Sequence, residues 1–329
     1  VETGEYLCYA TQGSLVLDHH RPAESALAVL REVVNTLDRS LSAGASREAK
    51  AKIESPTATW SWRGKGSASG SGIEPASFES RWLSTLSDLS IASQRGLSER
   101  FDGSIGSASV LFPMGGAHQA TPECGMASRI PVGPDKSTTT TSLMTMGYDP
   151  RLSAWSPYHG AQFAVLESLT KILALGGNPR AARLTFQEYF ERTSSAESWG
   201  KPAAALLGAL RAQLAAGTAA IGGKDSMSGT FQDRNVPPTL VSFAVAVTED
   251  SRVRGGSLTA GGNTLILVQT PTLADGTPDW DAFHVNADSV LKFGESGKIR
   301  AAYPVTAGGI AAALSKMAFG NRVGAVIDN

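Results

Sequence analysis

Residues 181–226 read AARLTFQEYFERTSSAESWGKPAAALLGALRAQLAAGTAAIGGKDS, and this stretch decides the fold class. Residues 183–186 suit a short β-strand. Residues 201–216 are rich in alanine and leucine, and they predict a helix that stops at Gly217. Ile221 and a glycine segment follow. The order of strand, helix and glycine segment predicts a fold in which helices pack on a sheet.

The alternation of helices and strands continues on both sides of this stretch. Residues 158–175 show a long helical pattern that ends at Gly176 and Gly177, a typical helix stop. A β-branched run at residues 138–141 predicts a strand before that helix. We also predict helices at residues 78–89 and 308–317, and strands at residues 240–247 and 264–268. Together these elements predict a two-layered α+β or mixed α/β fold.

A low-complexity segment divides the chain. Residues 64–72 read GKGSASGSG, the composition of a flexible linker, and residues 25–41 before it predict a helix. The chain starts with Val1 instead of methionine and ends in an interrupted strand pattern, so we expect a fragment of a longer protein. We expect three parts: an N-terminal segment with the linker, one domain, and the truncated start of a second domain, at residues 1–75, 76–250 and 251–329.

Composition argues against several classes of function. The chain has 29 basic and 30 acidic side chains and a net charge of -1, which does not favour a nucleic acid or an anionic membrane as partner. No apolar run is long enough for a transmembrane helix. Cys8 and Cys124 are the two cysteines, so no disulfide framework is encoded and a cytoplasmic protein is expected.

The segment 222–226, GGKDS, has the sharpest local chemistry. Paired glycines let the backbone approach a ligand, Lys224 offers a charge suited to phosphate, and Ser226 adds a hydroxyl donor. The segment is not a Walker A loop, because Thr218 and Asp225 stand where that motif needs glycine and a hydroxyl residue. A purely structural glycine turn is the alternative interpretation.

Asp135 and Glu167 are candidate carboxylate ligands for Mg²⁺. Asp135 precedes the threonine-rich strand, and Glu167 lies inside a predicted helix with apolar neighbours. The alternative for Glu167 is an exposed ion pair with Lys171, one helical turn later. His159 and Cys124 lack metal or nucleophile signatures, and we expect structural roles for both.

Several blocks resemble the second synthetase half of the phosphoribosylformylglycinamidine synthases. The resemblance covers roughly residues 82–325. Its most specific segments are SDL at 87–89, SQRGL at 93–97, ERFD at 99–102, WSPYHGA at 155–161, RLTFQEYFER at 183–192, WGKP at 199–202, GGKDSMSGT at 222–230 and VPPTLVSFA at 236–244.

The resemblance implies an α+β fold with an aminoimidazole-ribonucleotide-synthetase-like (PurM-like) A domain, followed by the start of a B domain. It implies a ligase that uses ATP and Mg²⁺ to convert formylglycinamide ribonucleotide and glutamine into the amidine, in purine biosynthesis. The implied partners are the first synthetase half and a glutaminase domain, neither of which is present, so the isolated chain should be inactive. The alternatives are a non-catalytic scaffold half and another synthetase of this superfamily, such as an aminoimidazole ribonucleotide or selenophosphate synthetase.

Site residues follow from the resemblance position by position. The nucleotide- and substrate-binding residues it implies are Gly222, Gly223, Lys224, Asp225, Ser226 and Pro134. Asp135 and Glu167 match the carboxylates that hold Mg²⁺ at an auxiliary nucleotide site. Lys171 stands where the long bacterial form has asparagine, and residues 303–309, YPVTAGG, lack the family's acidic residue. An ammonium in place of an oxygen ligand predicts that the auxiliary site is degenerate.

Overall fold

A computed structural model describes residues 77–100, 103 and 108–326. The helix expected at residues 25–41, the linker at 64–72 and the remainder of the N-terminal segment lie outside these residues. In the described part, no helix combines the length and apolar character that a bilayer crossing requires.

The centre of the fold is a five-stranded mixed sheet with the strand order β3-β4-β9-β5-β6. Only the β5–β6 pairing in it is parallel. Two short hairpins, β1–β2 and β7–β8, lie outside this sheet. The strands are β1 (Met114–Gly115), β2 (Thr121–Pro122), β3 (Met126–Arg129), β4 (Thr140–Gly147), β5 (Arg183–Tyr189), β6 (Ala220–Lys224), β7 (Thr230–Phe231), β8 (Arg234–Asn235) and β9 (Thr239–Glu249).

Helices cover one face of the sheet. α4 packs on β4 and β9, and α5 packs along α4. Side chains that alternate along the strands, such as Leu143, Leu184 and Ala244, are fully buried under these helices. The helices are α1 (Phe78–Ser87), α2 (Arg95–Ser98), α3 (Pro150–Trp155), α4 (Pro157–Ala174), α5 (Ala196–Ala216), α6 (Trp280–Glu295) and α7 (Gly309–Phe319).

Local sequence signals set the starts of both central helices and the end of α5. Ser156 caps α4, and Pro157 occupies its first turn, where no backbone N–H is needed. Ser195 and Ser198 form a capping box, so α5 begins five residues before the predicted start at 201. Gly217 ends α5 in the left-handed region, at φ 66°, which glycine adopts without steric cost.

The α+β fold predicted from the sequence is confirmed, and two local predictions are wrong. Gly222 and Gly223 lie inside strand β6 and do not form a turn, because β5 offers a free edge for parallel pairing. Residues 264–268 form no strand. Leu265 and Ile266 are exposed there, and no described strand pairs with this run.

The second face of the sheet has no helix on it in the described part of the chain. Met144 and Met146 on β4, Met126 on β3 and Val247 on β9 point to this side and are 42–54% exposed. We call these four residues and their neighbours the open face. Such a contiguous apolar surface is typical of a face that packs against another protein unit.

Residues after β9 pack against the segment 114–123. Thr121 Oγ1 donates to the carbonyl of Lys316 at 2.6 Å, and Tyr303 OH donates to the carbonyl of Pro122 at 2.8 Å. The Gly256 N–H donates to Glu123 Oε2 at 2.9 Å, and burial raises the pKa of this carboxyl. These contacts attach the residues after β9 to the β1–β2 hairpin and the residues next to it.

Candidate functional site

The carboxyl ends of the parallel strands β5 and β6 lie side by side. Gln187 pairs with Lys224 in the ladder, so the residues that follow each strand leave the sheet at the same edge. β5 and β6 are the one parallel pair in this sheet, so the residues after Lys224 leave it beside the residues after Tyr189. The segment 222–226 that the resemblance singles out therefore spans the end of β6 and the two residues that follow it.

The two glycines of this segment have different surroundings. A Cβ on Gly223 would lie 2.6 Å from the carbonyl oxygen of Phe186, so only glycine permits the close strand pairing there. A Cβ on Gly222 would meet no atom within 4 Å. Gly223 therefore serves the sheet, whereas Gly222 leaves open space that a ligand can enter.

Lys224 forms no ion pair with any described residue. Its Nζ donates to Ser226 Oγ at 2.8 Å and to the carbonyl oxygen of Asp225 at 3.3 Å. Lys224 and Asp225 are exposed, and Ser226 is half-buried. An exposed ammonium without a carboxylate partner is free to contact a phosphate.

The segment after Asp225 is held against the end of β5. The Phe190 N–H donates to the carbonyl of Ser226 at 2.8 Å, and the Gly229 N–H donates to the carbonyl of Phe190 at 2.9 Å. Glu191 accepts hydrogen bonds from Lys201 Nζ on α5 and from the amide of Asn235. These contacts fix the position of the segment relative to the start of α5.

Glu188 belongs to the same edge, and sequence reasoning did not single it out. It is only 4% exposed, and its Oε1 has no hydrogen-bond partner in the described part of the chain. Burial, together with the charge of Asp225, raises its pKa to about 7. The available signal was strand alternation: Leu184 and Phe186 face the helices, so Glu188 does as well.

The two carboxylates predicted to bind Mg²⁺, Glu167 and Asp135, have different surroundings. Glu167 Oε1 is 2.6 Å from Lys171 Nζ, and its Oε2 accepts from the Tyr148 N–H at 3.2 Å. Lys171 Nζ also donates to the carbonyl of Met146 at 2.8 Å. Asp135 lies on an exposed loop, and its side chain has no hydrogen bond or ion pair with described residues.

Glu167 is therefore already neutralised by an ammonium, and a metal ion does not fit beside it. The pair is also not the exposed one considered from the sequence, because the Lys171 and Glu167 side chains are only 14% and 21% exposed. Pro134, beside Asp135, is exposed and stays a predicted ligand contact. Within the described ranges, no group of three or more His, Cys, Asp or Glu residues could hold a metal.

His159 and Cys124 have structural surroundings. His159 Nδ1 is 2.7 Å from Ser156 Oγ, and its Nε2 is 3.0 Å from the carbonyl of Asp275. Burial lowers the pKa of this imidazole. Burial also raises the pKa of the Cys124 thiol to about 12, so the reactive thiolate is scarce at neutral pH.

Comparison with known proteins gives partial matches of one kind. No protein-family model matches the chain. The phosphoribosylformylglycinamidine synthase subunit PurL of Granulibacter bethesdensis is 25% identical over 271 residues, or 77% of this chain and 36% of the relative. The corresponding Thermococcus kodakarensis subunit is 27% identical over 195 residues, or 55% of this chain and 27% of the relative. Among solved structures, T. maritima PurL complexed with ATP has a TM-score of 0.46 and 16% identity, covering 69% of this chain and 34% of that one.

These relatives define the class: the chain is similar to phosphoribosylformylglycinamidine synthases, and the resemblance predicted from its motifs is confirmed. The particular proteins that it resembles are the PurL subunits of that enzyme. The chain spans about a third of the length of the curated relatives it matches.

Proposed function

We propose that this chain supplies part of the nucleotide and substrate site of a phosphoribosylformylglycinamidine synthase. The reaction is the ATP-dependent conversion of formylglycinamide ribonucleotide and glutamine into formylglycinamidine ribonucleotide in the cytoplasm. The observation that supports it best is the position of the segment 222–226 at the carboxyl ends of β5 and β6, where Lys224 forms no ion pair with a described residue. Similarity to PurL subunits over most of the chain supports it further.

The residues of this edge have separate tasks in the proposal. Lys224 neutralises phosphate charge, and Ser226 donates a hydroxyl hydrogen bond once Lys224 Nζ turns toward the ligand. Asp225 adds a carboxylate, while Gly222 leaves room for the ligand. Bound Mg²⁺ would neutralise the charge that develops on the phosphoryl group. Each contact acts on the phosphate, so loss of one should slow turnover without destroying the fold.

The proposed partners are the first synthetase half and a glutaminase domain. The open face supports the first of these, because its four apolar side chains would be covered when a second sheet-bearing half packs there. We place the boundary between the A domain and the start of the B domain at residues 250 and 251. In this arrangement the chain provides one wall of the site, and its partner half provides the other.

A test of the proposal uses the full-length protein with ammonium as nitrogen donor. Lys224→Ala should lower turnover about tenfold or more, since a charge-assisted contact contributes roughly 1.5–3 kcal/mol. Lys298→Ala is the matched control, because Lys298 is also exposed and follows helix α6, outside the segment 222–226. Equal kinetics for the two variants would show that the segment 222–226 has no part in catalysis.

A scaffold role is supported at the Glu167 position. There the Lys171 ammonium occupies the place that the family assigns to a metal ligand, and it binds both Glu167 and the end of β4. We propose that this second site is structural, while the edge of β5 and β6 retains ligand binding. Co-crystals of the full-length protein with ADP and Mg²⁺ should show no ion at Glu167, and a well-occupied metal there would contradict the proposal.

A further inference from the structure

A cavity of about 340 Å³ lies where the β1–β2 hairpin meets the residues after β9. Apolar side chains form one part of its lining, and three glycines and several polar side chains form the rest. The lining residues include Leu111, Phe112, Gly115, Glu123, Ser257 and Arg300. No residue of the segment 222–226 lines this cavity, so it is separate from the candidate site described above. Its volume is at the lower end of the range for small-molecule pockets.

Glu123 offers this cavity an acceptor that no described group uses. Its Oε2 accepts from the Gly256 N–H at 2.9 Å, whereas its Oε1 has no hydrogen bond or ion pair with a described residue. A Cβ on Gly115 would lie 2.0 Å from Oε1, and a Cβ on Gly255 would lie 3.1 Å from it. The two glycines therefore leave open the space around this oxygen that other side chains would fill.

Arg300 and Ser257 add complementary groups to the same cavity. Arg300 is exposed, and its guanidinium forms no ion pair or hydrogen bond with a described residue. Ser257 is only 8% exposed, yet its Oγ has no hydrogen-bond partner in the described part of the chain. A buried hydroxyl without a partner is costly, and a ligand that bonds to it removes this cost. The cavity thus contains an acid, a base and a hydroxyl that are not bonded to one another.

The two charges restrict the class of ligand. A purely anionic ligand would be repelled by Glu123, and a purely cationic ligand would be repelled by Arg300. A small zwitterion satisfies both residues, with its ammonium group at Glu123 and its carboxylate at Arg300. The apolar side chains of Leu111 and Phe112 favour an apolar substituent on that molecule. These features together describe an α-amino acid with an apolar side chain.

We propose that this cavity binds a small zwitterion of the α-amino acid class, with Glu123 and Arg300 as its charged contacts and Ser257 as a hydrogen-bonding contact. The inference goes beyond the proposed function and does not depend on it, because the segment 222–226 takes no part. Residues before β3 and residues after β9 both line the cavity. The bound ligand would therefore also join these two parts of the chain.

The test measures binding of L-leucine to the full-length protein by isothermal titration calorimetry. Two analogues separate the charges: 3-methylbutylamine lacks the carboxylate of leucine, and 4-methylpentanoate lacks its ammonium group. Leucine should bind, and each analogue should bind at least about tenfold more weakly, as expected for loss of one charge-assisted contact.

Two variants locate the bound leucine. Glu123→Gln keeps the shape of the side chain and an acceptor for the Gly256 N–H, and Arg300→Ala changes an exposed residue. Both should fold, which melting temperatures verify, and each should weaken leucine binding at least about tenfold. Lys298→Ala serves as the control, since Lys298 is exposed and does not line the cavity. It should bind leucine like the unmodified protein.

Three outcomes would overturn the proposal. The first is no measurable leucine binding at millimolar concentrations. The second is equal binding of leucine and either analogue, because the cavity would then not recognise both charges. The third is an unchanged leucine affinity in both Glu123→Gln and Arg300→Ala, because the leucine would then bind elsewhere. Lys224→Ala, which tests the proposed function, should leave leucine binding unchanged, so the two proposals can fail separately.

Discussion

Replacing Glu188 by glutamine should make the chain more stable at high pH in the absence of divalent cations. The pKa of Glu188 is raised from 4.5 to about 7 in the folded state by burial and by Asp225. Between these two pH values the folded chain holds a proton that the unfolded chain has lost. The free energy of unfolding therefore falls as pH rises through this window, and the loss is complete above pH 7.

The magnitude follows from the size of the pKa difference. Each pKa unit corresponds to about 1.36 kcal/mol, so the titration of Glu188 costs the folded state up to roughly 3 kcal/mol between pH 4.5 and 8. Glutamine does not titrate, so every other effect of this substitution on the free energy of unfolding is the same at each pH. Relative to the unmodified chain, Glu188→Gln should thus gain about 1–3 kcal/mol of stability on going from pH 5 to pH 8.

Urea unfolding of the chain in EDTA at pH 5 and pH 8, followed by tryptophan fluorescence, measures this gain. Glu191→Gln is the control: it removes a carboxylate that Lys201 already neutralises, so it should destabilise the protein at pH 8. A constant difference between Glu188→Gln and the unmodified chain at both pH values would refute the reasoning. It would mean that the Glu188 carboxyl group reaches water or a cation in solution.

Three further predictions concern other parts of the fold. Gly223→Ala should destabilise the chain by about 1–3 kcal/mol in urea unfolding, because its Cβ would meet the Phe186 carbonyl, whereas Gly222→Ala should change stability by less than about 1 kcal/mol. Lys171→Met should cost roughly 1–3 kcal/mol by leaving Glu167 without its cation, and adding Glu167→Gln should restore part of that loss in the same assay. In a Cys8→Ser variant, the remaining Cys124 should react slowly with a thiol reagent at pH 8 and rapidly in urea. The reason is that burial raises the pKa of its thiol to about 12. Rapid labelling of the folded chain would contradict this burial.

Strong periodic patterns made the sheet and its two main helices predictable. The alternating run of β9 and the capped, alanine-rich α5 each specify their structure locally, and glycine marks the helix end at Gly217. Strand β6 was missed because Gly222 and Gly223 look like a turn until the neighbouring edge of β5 is known. The strand predicted at residues 264–268 is absent for the opposite reason. These residues have β propensity, but propensity alone does not supply a neighbouring strand to pair with.

The candidate site was predictable only in part. The segment 222–226 could be found because lysine, aspartate and serine after two glycines suggest phosphate chemistry. Strand alternation places Glu188 on the helix side, but its deep burial and its missing hydrogen-bond partner become visible only in the structure. Likewise, only the structure shows that Lys171 binds the end of β4 as well as Glu167. Tertiary neighbours decide the chemistry of charged side chains more than sequence spacing does.

The three methionines of the open face give the protein a built-in chemical reporter. Met126, Met144 and Met146 lie 42–46% exposed on adjacent strands, where peroxide can reach their sulfur atoms. Oxidation converts the thioether into a polar sulfoxide, which would weaken apolar packing against the open face. A cell that assembles the protein late would leave these sulfur atoms unprotected, whereas prompt assembly would shield them. The extent of sulfoxide at these positions would therefore measure how long the face has remained uncovered.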